Sequence, residues 1–392
     1  MTTNLSSVLT ETLLQRCQER AAGYDQENKF FYEDFEELKE AGYLLSCVPK
    51  ELGGLGLTLD QVCKVQRRLA YYAAPTALAI NMHFYWTGMA ADVWRSGDMS
   101  TEWMLKAATE GHIFAAGHGE PGNDLPLLLS TTNAEKTVGG YKFTGHKIFG
   151  SLSPVWSYLG IHGLDSSDPE SPKIVHAFMP REATGYRIEE TWDTVGMRAT
   201  QSHDTILEGA FVPDQYITRV VSAGFAGVDL FVLGIFAWAM MGFSNVYYGN
   251  AQRVLDMTIA SVNQKKAMAI SRTMAYHPEF QHGIAEMVMN LEAVGAHIDR
   301  IAQDWAEGVD HGHAWAIKLM AAKFHASESC WKVVDNAIEI QGGNSIFKRV
   351  GLERLWRDGR LGRIHPPNKH LAMETIGKLA LGIDPDESPR WG

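Results

Sequence analysis

The chain lacks the marks of several common protein classes. Its four cysteines, Cys17, Cys47, Cys63 and Cys330, are scattered and form no CxxC pair. That argues against a structural zinc site or a disulfide scaffold and suits a reducing, cytoplasmic setting. There is no Lys/Arg-rich block, and the formal net charge is −11, so nucleic acid and anionic membrane surfaces are poor partners. The N-terminus, Met1-Thr2-Thr3-Asn4-Leu5, has no basic segment followed by an apolar one, and no signal peptide is expected. The most apolar stretch, Leu230 to Met241 behind Asp229, is shorter than the about 20 residues that span a bilayer. It is expected to be a buried helix. Internal repeats and low-complexity tracts are absent.

What is present is an ordinary globular balance. The 392 residues are 45% hydrophobic and 21% charged, enough for two or three domains or one large composite unit. Residues 9 to about 112 read as helices. Leu13, Cys17 and Ala21 share a face, Phe31, Phe35 and Leu38 continue the pattern, and Asn81 to Ala90 carries an aromatic cluster. The loop Pro49 to Gly56 has glycines, but not in the strand-following GxGxxG spacing of a dinucleotide fold. From 114 to 223 the texture turns to short strands. Gly139-Gly140 predicts a hairpin, and Ile174 to Met179 and Thr205 to Leu207 are further strands. From 224 to 392 apolar faces recur at helical spacing, as in Ile284, Met287, Val288 and Leu291. The expectation is an α+β chain with an N-terminal helical domain (1–113), a β-barrel-like middle domain (114–223) and a C-terminal four-helix bundle (224–392).

Particular motifs stand within this order. They are Glu120-Pro121-Gly122-Asn123-Asp124, Gly145-His146-Lys147-Ile148-Phe149, Gly196-Met197-Arg198-Ala199-Thr200, Phe211-Val212-Pro213, Ala251-Gln252-Arg253, Gln341-Gly342-Gly343-Asn344 and Arg357-Asp358. In this sequence of positions they resemble the landmarks of the acyl-CoA dehydrogenase superfamily over nearly the whole chain. The resemblance implies a flavin, FAD or alternatively FMN, and a homotetramer in which a neighbouring subunit completes the cofactor site. It places Phe149 and Ser151 beside the flavin ring, with the Ser151 hydroxyl facing the reactive ring nitrogen. Ala116, Gly117, His118 and Gly119 line another edge, and Gln341, Gly342 and Gly343 approach a neighbour's pyrophosphate. Glycines allow close backbone approach to phosphate. The bland alternative is that Phe149 and Ser151 only fill a strand.

The pattern breaks where a dehydrogenase needs a base. Removing the α-proton of a thioester requires a positioned carboxylate. By the resemblance, that Glu falls at Pro366, or in some relatives at Ala239. Neither side chain takes a proton. The neighbour-reaching Arg is replaced by Lys265, in Lys265-Lys266-Ala267-Met268-Ala269, which loses the planar fork that grips a pyrophosphate. Both losses are similar to the two-component monooxygenase branch, typified by indole and dibenzothiophene oxidisers. These take reduced flavin from a separate NAD(P)H-flavin reductase and need a dry pocket with hydrogen-bonding groups. The implied catalytic residues are His83, Ser151 and His365.

Each has a bland reading beside it: His83 as packing within a helix, His365 as a cap before Pro366-Pro367, His118 as a strand terminus. His311-Gly312-His313 lacks a third ligand at sensible spacing, so no metal is expected. Trp86, Phe236, Trp238 and Met241 are candidate walls for a small, flat aromatic substrate, although core packing explains the same residues. Glu374 is either a relocated base, which would make an atypical acyl-CoA dehydrogenase, or part of a solvated helix face. A catalytically inactive subunit is the third reading.

Overall fold

The computed structural model describes residues 8–266, 268 and 271–387; Met1 to Leu5, Ala267 and Ala269 lie outside them. Four helices come first: α1 (Glu11–Glu27), α2 (Tyr32–Glu40), α3 (Leu59–Arg95) and α4 (Glu102–Thr109). Thr10 caps α1 by accepting from Leu13 N. A Thr58/Gln61 capping box starts α3, which bends at Ala73, two residues before Pro75.

Eight strands follow, from β1 (Phe114–Gly117) to β8 (Ile217–Ser222). With β4 (Tyr158–Asp165) and β6 (Tyr186–Glu189) among them, they form one sheet in the order β6-β7-β3-β2-β4-β5-β8, with β1 parallel to β4. The expected hairpin joins β2 (Asn133–Thr137) and β3 (Gly140–Gly150), in antiparallel register with Thr137 opposite Gly140. The other predicted strands are β5 (Lys173–Pro180) and β7 (His203–Pro213).

The rest is helical: α5 (Leu230–Gln264), α6 (Pro278–Ala306), α7 (Ala314–Gln341), α8 (Leu352–Arg360) and α9 (Lys369–Leu381). Asp229 caps α5, accepting from Val232 N at 3.0 Å. This helix runs well past Met241, so by length and composition it is apolar enough to cross a membrane, but 83% of its apolar window is buried inside the fold. Its cover is chiefly α3. A Cβ on Gly249 would lie 2.3 Å from the Arg67 carbonyl, and one on Gly88 would lie 2.3 Å from the Trp238 ring. These pairings run in opposite directions, so the two helices are antiparallel and nearly backbone-to-backbone. One continuous apolar core extends from α1 through the sheet into the bundle.

Candidate functional site

The middle of the sheet supports the site through a buried ion pair. Lys147 Nζ lies 2.6 Å from Glu120 Oε1, and the two side chains are 1% and 0% exposed. Glu120 also accepts from Ser130, Asn123, Thr131 N and both Thr132 groups. Burial pushes this carboxyl up, but the Lys147 charge and the converging donors outweigh it and hold it low, at about 2. Thus Glu120 of the EPG motif and Lys147 of the GHKIF motif lock two segments together.

The lock sits beside a bulge. Between Lys147 and Gly150, β3 carries one residue more than β7 opposite, since Lys147 faces Thr205 and Gly150 faces His203. Phe149 takes the left-handed backbone conformation, φ 61°, an uncommon state for an aromatic residue. Its ring is 54% exposed and meets Trp192 edge-on at 6.1 Å. The Ile148 amide donates to Gly119 O at 2.9 Å, and a Cβ on Gly119 would lie 3.3 Å from the Phe149 ring. The structure therefore brings Gly119, at the end of the 116–119 segment, against Phe149, two residues before Ser151.

Ser151 is 7% exposed, and its hydroxyl is 2.7 Å from that of Ser202. His118 Nδ1 is 3.2 Å from the Tyr85 hydroxyl, while its Nε2 is buried without a hydrogen-bond partner among the described residues. Burial first, then the charges of His176 and Lys147, keep this imidazole neutral. An outward aromatic face, a hydroxyl and an orphaned ring nitrogen fit a flat heteroaromatic ring with polar edges, such as flavin.

His365 lies at a second wall. Its ring packs against Phe243 at 4.7 Å and Tyr247 at 5.7 Å. Phe243 stands one turn beyond Ala239 on α5, so the segments that hold both empty base positions meet through this contact. Burial, and then Lys323, press the imidazole down to about 3, so it is neutral at physiological pH. Lys323 on α7 holds the loop behind it. Its Nζ donates to Gly362 O at 3.3 Å, to Pro367 O at 3.1 Å and to His365 O. An ammonium has three protons and here three carbonyls take them.

Other predicted residues are placed elsewhere. Both ring nitrogens of His83 are used internally: Nε2 donates to Leu44 O at 3.0 Å, and Nδ1 accepts from Phe114 N at 3.2 Å. The ring is 1% exposed, so the packing reading describes its position. Trp86 donates to Ala115 O at 2.9 Å and Trp238 to Asp92 at 2.7 Å. These two and Met241 are at most 2% exposed and belong to the core; Phe236 is only partly buried and remains available as a wall. Glu374 pairs with Lys378 at 2.9 Å. His311 pairs with Asp304 at 2.8 Å in the loop between α6 and α7.

Lys265 and Gln341 form their own cluster where α5 and α7 end. Lys265 Nζ lies 3.4 Å from Gln341 O, and Gln341 Nε2 is 3.1 Å from the Thr258 hydroxyl. Gly342 and Gly343 are exposed there, Gly342 at φ 62°.

The comparisons bear on the family and the fold. Residues 4–111 match the family model for the acyl-CoA dehydrogenase N-terminal domain, and residues 241–369 match the one for its C-terminal domain. The chain belongs to the acyl-CoA dehydrogenase family. A Bacillus subtilis (strain 168) protein that carries an acyl-CoA dehydrogenase name is 26% identical, covering 93% of each chain. The L-evernosamine nitrososynthase of a Micromonospora species is 25% identical over 95% of this chain and 89% of its own. The solved structure of TdsC from Paenibacillus sp. A11-2 with FMN and indole superposes with a TM-score of 0.80 at 20% identity, covering 97% of this chain and 98% of that one; this likeness is one of fold.

Three contributors escaped the reading of the sequence. Lys323 carried a visible signal, a lone cation on the apolar face made by Leu319, Ala326 and Cys330. Thr200 and Ser202 carried none beyond their place after the GMR motif.

Proposed function

We propose that this protein is a flavin-dependent monooxygenase that oxygenates a small aromatic substrate, of indole-like size, with reduced flavin and O2. The observation that carries the reading is the wall around His365. Neither Pro366 nor Ala239 offers a base, and Glu374 is tied to Lys378, whereas a neutral imidazole stands there against Phe243. Such a wall serves poorly for thioester deprotonation and well for orienting a flat apolar ring, by packing and by a hydrogen bond, in a dry pocket. The relatives lend support: curated matches include a dibenzothiophene monooxygenase of Mycolicibacterium goodii, and the TdsC structure holds FMN and indole.

Phe149, Ser151, His118, Ala116 and Gly119 would hold the flavin ring. Lys265, Gln341, Gly342 and Gly343 would meet the far end of FAD from a neighbouring subunit of a homotetramer, with FMN needing less of them. Bound in its reduced form, the flavin supplies two electrons and the position where oxygen is activated. Of the two oxygen atoms, one enters the product and the other leaves as water. Phe236 and Phe243 would keep bulk water off the substrate ring, and His365, as a neutral imidazole, would orient the substrate through a hydrogen bond at its ring nitrogen. A separate NAD(P)H-dependent reductase would deliver the reduced flavin.

The test combines the purified chain with enzymatically reduced FMN or FAD, oxygen, and indole or dibenzothiophene. Oxygenated product in proportion to flavin consumed, with little free peroxide, is the expected result. No oxygenated product, together with anaerobic bleaching of bound flavin by an acyl-CoA, would show a dehydrogenase instead.

A further inference from the structure

Three hydroxyls, beginning with that of Ser151, stand in single file. Ser151 Oγ is 2.7 Å from Ser202 Oγ, which is 2.7 Å from Thr200 Oγ1, which is 2.9 Å from the carbonyl oxygen of Met197. The first two distances leave the direction of their bonds open, and the end of the file decides both. A carbonyl only accepts, and a hydroxyl has one proton. Thr200 therefore gives its proton to Met197 and can only accept from Ser202. Ser202 then has nothing to give Ser151, so Ser151 must donate inward. Its oxygen presents lone pairs alone to whatever faces it.

The file is well insulated. Thr200 is 0% and Ser202 2% exposed, and neither hydroxyl bonds to any other described group. Its anchor is pinned as well. The Met197 amide donates to the Asp358 carboxyl, and the Met197 carbonyl also receives Trp192 Nε1 at 3.2 Å.

We propose that Thr200 and Ser202 are positioning residues that fix Ser151 as a hydrogen-bond acceptor, so that the site prefers reduced flavin to oxidised flavin. The preference follows from the cofactor's own chemistry. The reactive ring nitrogen carries a hydrogen when flavin is reduced and a lone pair when it is oxidised. An acceptor complements the first and repels the second. A site built this way fills with the form a reductase delivers and empties after turnover. The inference rests on the reading that Ser151 faces that nitrogen.

Anaerobic equilibrium titrations with reduced and with oxidised FMN test it without turnover. The wild type is expected to bind reduced FMN on the order of tenfold more tightly, the scale of one well-placed hydrogen bond. Ser202→Ala releases the Ser151 proton to point outward, so the ratio should collapse, mainly through tighter binding of oxidised FMN. Thr200→Val lets Ser202 reverse and should act in the same direction, which gives a second route if one variant folds poorly. Ser151→Ala should lack the preference, and adding Ser202→Ala to it should change nothing further. A purely structural role would instead weaken both flavin forms in parallel and persist in the Ser151→Ala background. Equal wild-type affinities, or an unchanged ratio in both folded single variants, would overturn the relay while leaving the flavin reading intact. Failure of the wild type to bind either form would sink the flavin reading itself.

Discussion

The carboxylate of Asp358 accepts the backbone amide of Met197. One residue earlier, Arg357 clamps Asp25 at 2.9 and 2.6 Å and takes the Val195 carbonyl at 2.7 Å. The Arg-Asp pair of α8 thus ties α1 and the turn before β7 into one unit. A Cβ on Gly196 would meet the Arg357 carbonyl at 2.5 Å, so the turn has to run this close to α8. Because Met197 anchors the hydroxyl file, the far C-terminal helix sets the geometry at Ser151.

Asp358→Ala is therefore expected to lower stability by about 1–3 kcal/mol, the cost of leaving a buried amide without an acceptor. Asp358→Asn retains an acceptor oxygen and should lose less. Urea unfolding of both variants against the wild type measures the difference. Equal stability of all three would show that the amide finds another partner.

Glu120 is expected to give an acid response. Its folded carboxyl sits at about 2 against an ordinary value of 4.5. A lowered carboxyl contributes stability that is complete above the unfolded value and is lost as pH falls towards the folded one. Glu120→Gln should flatten that acid limb. At neutral pH it should cost about 3–5 kcal/mol, because Lys147 is left buried without its partner. Unfolding midpoints followed downward from neutrality through the carboxylate range check both parts.

Lys323 is expected to control His365 through the loop. Burial presses its amine down to about 7, and Glu328 opposes that only in part. Below that point the ammonium supplies all three carbonyls; as pH rises through it, one donor is lost. The fraction of flavin electrons that reach product should then fall, with peroxide rising in its place. Lys323→Met should show the poor coupling at every pH, and its profile should be flat across neutrality. A variant that couples as well as the wild type would separate Lys323 from the chemistry.

The two histidines singled out beside Ser151 should behave differently. His365→Ala is expected to lower product relative to peroxide with little change in melting temperature. His83→Ala removes the bridge between Leu44 and Phe114, so it should lower the melting temperature and leave coupling nearly unchanged. Thermal melts and product-to-peroxide ratios on the same preparations distinguish them. The reverse pattern would exchange their roles.

The architecture was legible because its signals are local. Apolar faces at helical spacing, the Gly139-Gly140 turn and the ordered motifs each depend on a few neighbouring residues. The site was legible only in part. Ser151 and Phe149 could be placed because a strand motif carries them. The partners of His83 lie 39 and 31 residues away, and nothing in its neighbourhood tells a satisfied imidazole from a free one. Trp86 and Trp238 have the composition of a pocket wall, but they are aimed into the interface between α3 and the elements it covers. Which way an aromatic side chain faces is settled by tertiary packing rather than by its own segment. The extent of α5 was under-read for a related reason: Ser244, Asn245 and Asn250 beyond Met241 are polar but buried, with their side chains hydrogen-bonded to carbonyls inside the fold, so polarity there does not mark the helix end.

That helix has a consequence for how the chain comes into being. Leu230–Gln264 is apolar enough for a bilayer, and α3 lies along it and buries it. In synthesis α3 emerges first, so its greasy partner meets a waiting surface. A fragment that starts at the sheet or later would offer the same helix to water with no such shelter, and insoluble aggregates are the outcome expected of it.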